Sequence, residues 1–354
     1  MEHGVKRVNL SKEAKRLKIE KDQAKIVHYK KLQQDLLRSN KAEEYTLERL
    51  GKTTELLALN PEFYTIWNYR REILLDLFNK KELDLKTSLE DDLKLVLQQL
   101  KKFPKCYWIW NHRAWCLGKL QEAKMANWDF ELGIVSKLLE MDSRNFHGWQ
   151  YRRFVVQNIE QNSKEILSIN LKEFDYTTTK INKNISNFSA WHNRSKLIIK
   201  IYHLTKESNT NVESETITLF ENPLKLLQHE LNLIKTGMFM DSDDTSIWLY
   251  LLWLLTEPLF VDYLEKENQY IPLLQEQLKT VEELNELEKD DHINSWDNVW
   301  CLKSIIVIKG LIKQQNNETL IDDDIKSMLQ KLIEYDPLRK GRYLDQLNGV
   351  VSII

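Results

Sequence analysis

Four stretches of the chain repeat one another: Tyr64-Thr-Ile-Trp67-Asn-Tyr-Arg70-Arg71, Tyr107-Trp-Ile-Trp110-Asn-His-Arg113-Ala, Phe146-His-Gly-Trp149-Gln-Tyr-Arg152-Arg153 and Phe188-Ser-Ala-Trp191-His-Asn-Arg194-Ser195. The unit is an aromatic residue, two residues, Trp, two polar residues, Arg. From Trp67 to Trp110, Trp149 and Trp191 the steps are 43, 39 and 42 residues. A fifth copy, Ile247-Trp248-Leu-Tyr-Leu251, follows 57 residues after Trp191 and has lost the arginine. Trp296 with Trp300 reads as a sixth, degenerate copy. A period near 40 means stacked supersecondary units, none of which can bury its apolar face alone.

Outward from the motif, each period reads as a helical hairpin. Leu47, Leu50, Leu56, Leu57 and Leu59 recur at helical spacing before Asn60-Pro61 stops the helix. Ile73, Leu74, Leu77 and Phe78 continue a second helix beyond the motif. Trp and Arg three residues apart share one helix face. Trp67, Trp110, Trp149 and Trp191 are therefore expected to fill space between helices. Arg70, Arg113, Arg152 and Arg194 are expected to stack or pair where the next hairpin begins. All eight read as structural.

Composition supports an all-helical chain. It holds 9 Gly and 6 Pro in 354 residues, about a third of ordinary usage, and sheets need the turns these residues make. Thr205 to Glu215 lacks an apolar stripe and reads as a mobile surface loop. Residues 1–35 read as a charged leading helix with a fraying start. The expected architecture is all-α: one domain over 1–354, an α-α superhelix of hairpins curved into a crescent.

Charge is balanced, with 51 Lys+Arg against 53 Asp+Glu. That excludes a strongly basic nucleic-acid binder and an acidic tail. Three cysteines, Cys106, Cys116 and Cys301, form no CxxC pair, which excludes a disulfide framework and a self-sufficient cysteine zinc site. No apolar run approaches membrane-spanning length, and acids interrupt the basic N-terminus. A cytoplasmic protein without membrane insertion is expected.

Phosphate-binding Gly loops, GxSxG and HExxH are all missing from the sequence. The second repeat is distinctive instead, with Phe103-Pro104-Lys105-Cys106-Tyr107 at the start of its motif helix. Helix N-termini favour anions, so Lys105 with the Tyr107 hydroxyl suits a phosphate or diphosphate. His147 fills the slot of Trp108 and Thr65 in the neighbouring repeats, and stacking would bring it alongside. The other reading is a solvated lysine, a core tyrosine and a hydrogen-bonded histidine.

The repeat resembles that of the protein prenyltransferase α subunits, from about residue 45 to 260. Within that family the chain is most similar to the Rab geranylgeranyltransferase, or type II, branch. Asn60 to Glu72, Arg144 to Phe154, His3-Gly4 and Asp336 to Tyr343 carry the likeness. The resemblance implies an α subunit wrapped around an α–α barrel β subunit that holds a catalytic zinc. It implies transfer of geranylgeranyl from geranylgeranyl diphosphate to C-terminal cysteines of Rab GTPases, presented by an escort protein. Lys105 matches the family lysine near the isoprenoid diphosphate, and Tyr107 and His147 match its companions, in an electrostatic role. No metal is expected in this chain itself. His3, displaced by Glu2, is the residue the resemblance offers as a resting-state ligand to the partner's zinc. Relatives that read a CaaX carboxylate carry Gln where this chain has Trp108, which favours the Rab branch. No leucine-rich-repeat or immunoglobulin-like extension is expected, unlike in the animal α subunits. The competing readings are the α subunit shared by CaaX prenyltransferases and a non-enzymatic helical scaffold.

Overall fold

Pro61, Pro104 and their counterparts interrupt the chain just before each aromatic residue that opens a motif, and these interruptions become the tips of helical hairpins. A computed structural model describes residues 11–207 and 215–354, and among these no strand forms. Contacts divide the chain into two compact units, Met1–Asn162 and Ser163–Ile354.

The first unit comprises α1 (Lys12–Lys41), α2 (Leu47–Leu59), α3 (Tyr64–Asn79), α4 (Leu85–Lys102), α5 (Tyr107–Glu122), α6 (Trp128–Met141) and α7 (Phe146–Gln161). Its hairpins are α2–α3, α4–α5 and α6–α7. The core runs between the paired helices: Leu56, Leu57, Ile66, Ile73, Leu77, Leu89, Val96 and Val135 are buried. In α1 only the second half packs, through Leu32 and Leu36, while Ile26 and Val27 remain exposed. His3 lies outside the described residues.

The second unit comprises α8 (Ile166–Lys183), α9 (Phe188–Glu207), α10 (Pro223–Met240), α11 (Thr245–Thr256), α12 (Pro258–Lys266), α13 (Tyr270–Asp291), α14 (Val299–Gln315), α15 (Asp323–Tyr335) and α16 (Lys340–Leu347). Two single 3₁₀ turns, Glu215–Leu219 and Pro337–Arg339, complete it. The repeat hairpins here are α8–α9 and α10–α11. Among the described residues no single helix is long and apolar enough to cross a membrane; only the bent pair α11–α12 combines the length and composition.

All five hairpins use a four-residue loop, at 60–63, 103–106, 142–145, 184–187 and 241–244. Each loop closes as a turn through an N–H three residues on, as in Cys106 N to the Phe103 carbonyl at 3.2 Å and Asn145 N to the Asp142 carbonyl at 3.1 Å. The ends of α1, α3 and α5 close differently. There Glu43, Lys81 and Lys124 take left-handed backbones at φ 53°, 58° and 57°. The following N–H reaches back to the helix, as in Glu82 N to the Leu77 carbonyl at 3.0 Å and Met125 N to the Leu120 carbonyl at 2.7 Å. These are Schellman ends, usually built on glycine. Charged residues holding them is one reason the chain needs so little Gly.

Two expectations need correction. Thr205 to Glu207 still belong to α9, where the Thr205 hydroxyl bonds the Ile201 carbonyl at 2.8 Å, and Glu215 opens a 3₁₀ turn. Residues 208–214 of the expected loop lie outside the described residues. The Trp296/Trp300 pair is not a sixth copy of the motif tryptophan. Counting from the first residue of α14, that position is Leu302, and Ile305 stands in the arginine position. Trp296 lies in the loop before α14, stacked on Tyr335 with ring centroids 4.5 Å apart.

Candidate functional site

Each motif tryptophan ties a loop shut. The indole Nε1–H donates to the second loop carbonyl, six residues back: Trp67 to Pro61 (2.8 Å), Trp110 to Pro104 (2.9 Å), Trp149 to Ser143 (2.9 Å), Trp191 to Ile185 (2.7 Å) and Trp248 to Ser242 (2.7 Å). Neighbouring loops in the first unit share these carbonyls. The Cys106 thiol reaches the Pro61 carbonyl at 3.4 Å, and Asn145 Nδ2 donates to the Pro104 carbonyl at 2.9 Å.

The arginines join one hairpin to the next. Arg70 binds both oxygens of Asp92 on α4 (2.8 and 2.5 Å), and Arg113 binds both oxygens of Glu131 on α6 (2.6 and 2.7 Å). In the second unit Arg194 does the same with Glu230 on α10 (2.7 and 2.8 Å). Arg152 donates to the Ser136 hydroxyl at 2.7 Å. Every acid in these pairs also accepts from the residue two beyond the next motif tryptophan or its counterpart: His112 on Asp92, Tyr151 on Glu131 and Tyr250 on Glu230, each at 2.8 Å. Each three-way node gives both members of its buried ion pair several partners. Each acid lies 20 residues before the ring that donates to it, a fixed spacing hidden when the acids are sought from the arginines, whose distances to them vary.

Asp92, His112 and Cys116 bring their ligand atoms within 4.8 Å of one another. The i, i+4 spacing of His112 and Cys116 was legible in the sequence and passed over. A cation does not suit them. Asp92 is committed to Arg70 and His112, and Arg71 donates to His112 Nδ1 at 3.2 Å and to Asn111 at 2.6 Å. Burial pushes the His112 imidazole down to about 4, although Asp92 pulls the other way. Burial also favours the protonated Asp92 carboxyl, but His112 and Arg70 outweigh it and hold the group well below its ordinary range. The Cys116 thiol is pushed well up by burial and stays protonated.

Lys105, Tyr107 and His147 sit at the edge formed by α5, α7 and their loops. Tyr107 and His147 come together, with ring centroids 5.9 Å apart, and line one groove of about 180 Å³. Tyr107 is 47% exposed and so is not a core residue. Lys105 is exposed in the loop, two residues before α5, and lines a separate groove of about 250 Å³ with Leu138, Asp142 and Asn145. Trp110 borders both grooves. The rings continue along the edge: Trp108 lies 5.2 Å from Tyr64 and 5.2 Å from Tyr107, and His147 lies 5.8 Å from Phe146. The Tyr107 groove has a repeat counterpart in the second unit, lined by Phe188, Trp191, Leu249, Tyr250 and Trp253, with Ser246 in the His147 position. The groove is thus a product of repeat packing, and its side chains distinguish one copy from another.

A family model described as the protein prenyltransferase alpha subunit repeat matches residues 48–77, 89–120, 128–159 and 170–201. The chain is 52% identical to the geranylgeranyl transferase type-2 subunit alpha of Candida albicans, over 100% of this chain and 99% of that protein. Its identity to the Saccharomyces cerevisiae protein of the same name is 37%, covering 98% of each. Among solved structures, Candida albicans protein geranylgeranyltransferase-I complexed with GGPP aligns with TM-score 0.61 and 23% identity, covering 92% of this chain and 91% of that one, a likeness of fold. Hairpins tied by tryptophan and joined by arginine, together with full-length identity to these fungal proteins, establish that the chain belongs to the protein prenyltransferase α-subunit family, among the type-2 geranylgeranyl transferase α subunits.

Proposed function

We propose that the chain works in the cytoplasm as the α subunit of a heterodimer transferring geranylgeranyl from geranylgeranyl diphosphate to C-terminal cysteines of Rab GTPases. An escort protein presents the Rab substrate, and an α–α barrel β subunit carries the zinc and the lipid pocket. The observation that carries this reading is the 52% identity to a type-2 α subunit along the entire chain. A zinc site on the partner agrees with the donor chemistry here, since Asp92, His112 and Cys116 are spent on internal hydrogen bonds and a protonated thiol. When bound, the zinc supplies a thiolate at neutral pH.

This chain contributes charge and position. Lys105 is exposed, has no ion-pair partner among the described residues, and lies beside the start of α5. Its ammonium stabilises negative charge growing on the departing diphosphate, with no covalent step. Tyr107 and His147 border the adjoining groove and orient the head group by hydrogen bonding.

Substrate class provides the test. The heterodimer is expected to prenylate a Rab protein only when escort protein is added, and to leave short CaaX peptides unmodified. Trp108, with ring centroids 5.2 Å from both Tyr64 and Tyr107, stands at the position where the resemblance puts Gln in CaaX-reading relatives, and its bulk supports this preference. Efficient escort-free modification of a CaaX peptide would move the chain to the CaaX branch.

A further inference from the structure

The third residue of each four-residue hairpin loop is Glu62, Lys105 or Arg144 in the first unit, and Ser186 or Asp243 in the second. Two adjacent loops therefore carry a cation at the same repeat position. Those loops are pinned to each other by the 2.9 Å bond from Asn145 Nδ2 to the Pro104 carbonyl. Pro104 is the chain neighbour of Lys105, and Asn145 is the chain neighbour of Arg144. Asn145 is 4% exposed, and its Oδ1 accepts from Gly148 N at 3.0 Å, so the junction is built in rather than a chance approach. Lys105 and Arg144 are both exposed, and neither makes a hydrogen bond or ion pair among the described residues. Arg38, Arg49, Arg70, Arg71, Arg113 and Arg194, by contrast, all bind acceptors. Asp142 lines the Lys105 groove and accepts from Asn145 Nδ2 at 3.4 Å. Lys101 lines the same groove, so the edge stays net positive.

We propose that Arg144 acts with Lys105 as a two-cation cradle for one anion, the diphosphate group of the prenyl donor. This rests on the reading of Lys105 given under Proposed function. A diphosphate carries more charge than one ammonium can offset. A guanidinium adds a planar fork that holds two phosphate oxygens at once, whereas an ammonium acts as a point charge. Division of labour follows: Lys105 supplies charge, and Arg144 supplies charge and orientation.

The test uses the heterodimer of the full chain with its β subunit and inorganic diphosphate as the probe. Inhibition by inorganic diphosphate is measured for Lys105→Ala, Arg144→Ala, Arg144→Gln and Arg144→Lys, with Arg38→Ala as a distant surface control. Thermal unfolding and the KM for the protein acceptor are followed alongside. Arg144→Ala and Arg144→Gln are expected to weaken inhibition about tenfold, the loss of one charged hydrogen-bonding partner. Arg144→Lys should recover part of that loss, with acceptor KM and unfolding unchanged and Arg38→Ala like the parent. Weakening by Lys105→Ala but not by Arg144→Ala overturns the cradle and leaves the Lys105 reading standing. No weakening by either sinks both. A change confined to acceptor KM assigns Arg144 to the acceptor protein and also overturns the cradle. Should Arg144→Ala fail to assemble, the comparison of Arg144→Lys with Arg144→Gln decides the question, because they differ in charge at similar size.

Discussion

Glu131 holds three elements together at once: its two oxygens take the Arg113 guanidinium, and one of them also accepts the Tyr151 hydroxyl. Removing one member of a buried ion pair leaves an uncompensated charge, which costs about 3–5 kcal/mol. Glu131→Ala is therefore expected to destabilise the chain by about that much in chemical unfolding, with Glu131→Gln milder because it keeps an acceptor. A loss below about 1 kcal/mol would show that the node contributes geometry and little stability. His112 makes a separate prediction about acid. Its folded pKa, about 4, lies below the ordinary histidine value. Between about pH 6.5 and 4 the unfolded state binds the extra proton, so stability falls as pH falls through that window. The depressed Asp92 carboxyl loses its contribution only at lower pH, as protonation approaches its folded value. The pH dependence of the urea midpoint should flatten between pH 6.5 and 4 in His112→Gln, and an unchanged slope would place the acid sensitivity elsewhere.

Hairpins are the level at which the sequence was most legible, because one tryptophan and one four-residue loop mark each of them. Trp110→Ala removes both an indole from the core and the bond to the Pro104 carbonyl. It should cost about 3–5 kcal/mol and lose folded protein before any effect on chemistry is seen. Legibility failed where register mattered more than residue type. Trp300 looked like a motif tryptophan, yet the start of α14 places it in the slot of Trp108 and His147. The acids of the nodes are masked when read forward from the arginines, because the turn between hairpins varies in length: Asp92 lies 22 residues after Arg70 while Glu230 lies 36 after Arg194. Their fixed mark is the 20 residues from each acid to the ring that donates to it on the next motif helix. Lys105 and Tyr107 were legible as neighbours in sequence, but their separation into two grooves depends on where Trp110 packs. The Schellman ends give an element-scale test. Lys124 holds φ 57° in place of the usual glycine, a conformation that costs an L-residue about 1–2 kcal/mol. Lys124→Gly relieves that strain but loosens the unfolded chain by up to about 1 kcal/mol. A net rise in thermal midpoint of up to a few degrees is expected, and a fall would mean that the lysine side chain is itself holding the turn.

At the scale of the whole molecule, the chain offers charge, rings and grooves along repeated edges, while its buried cysteines are pushed up by burial and stay protonated. The ring row from Tyr64 through Trp108, Tyr107, His147 and Phe146, with Tyr64, Tyr107 and Phe146 exposed and Trp108 and His147 half-buried, is a surface of the kind that another protein covers. The most direct measurement is single-turnover transfer of geranylgeranyl to an escort-bound Rab protein, with the purified chain alone and with the chain co-expressed with a barrel-type β subunit in the presence of zinc. Transfer is expected only from the co-expressed heterodimer; transfer by the isolated chain, or an active β subunit that neither binds nor needs this chain, would contradict its role as an α subunit.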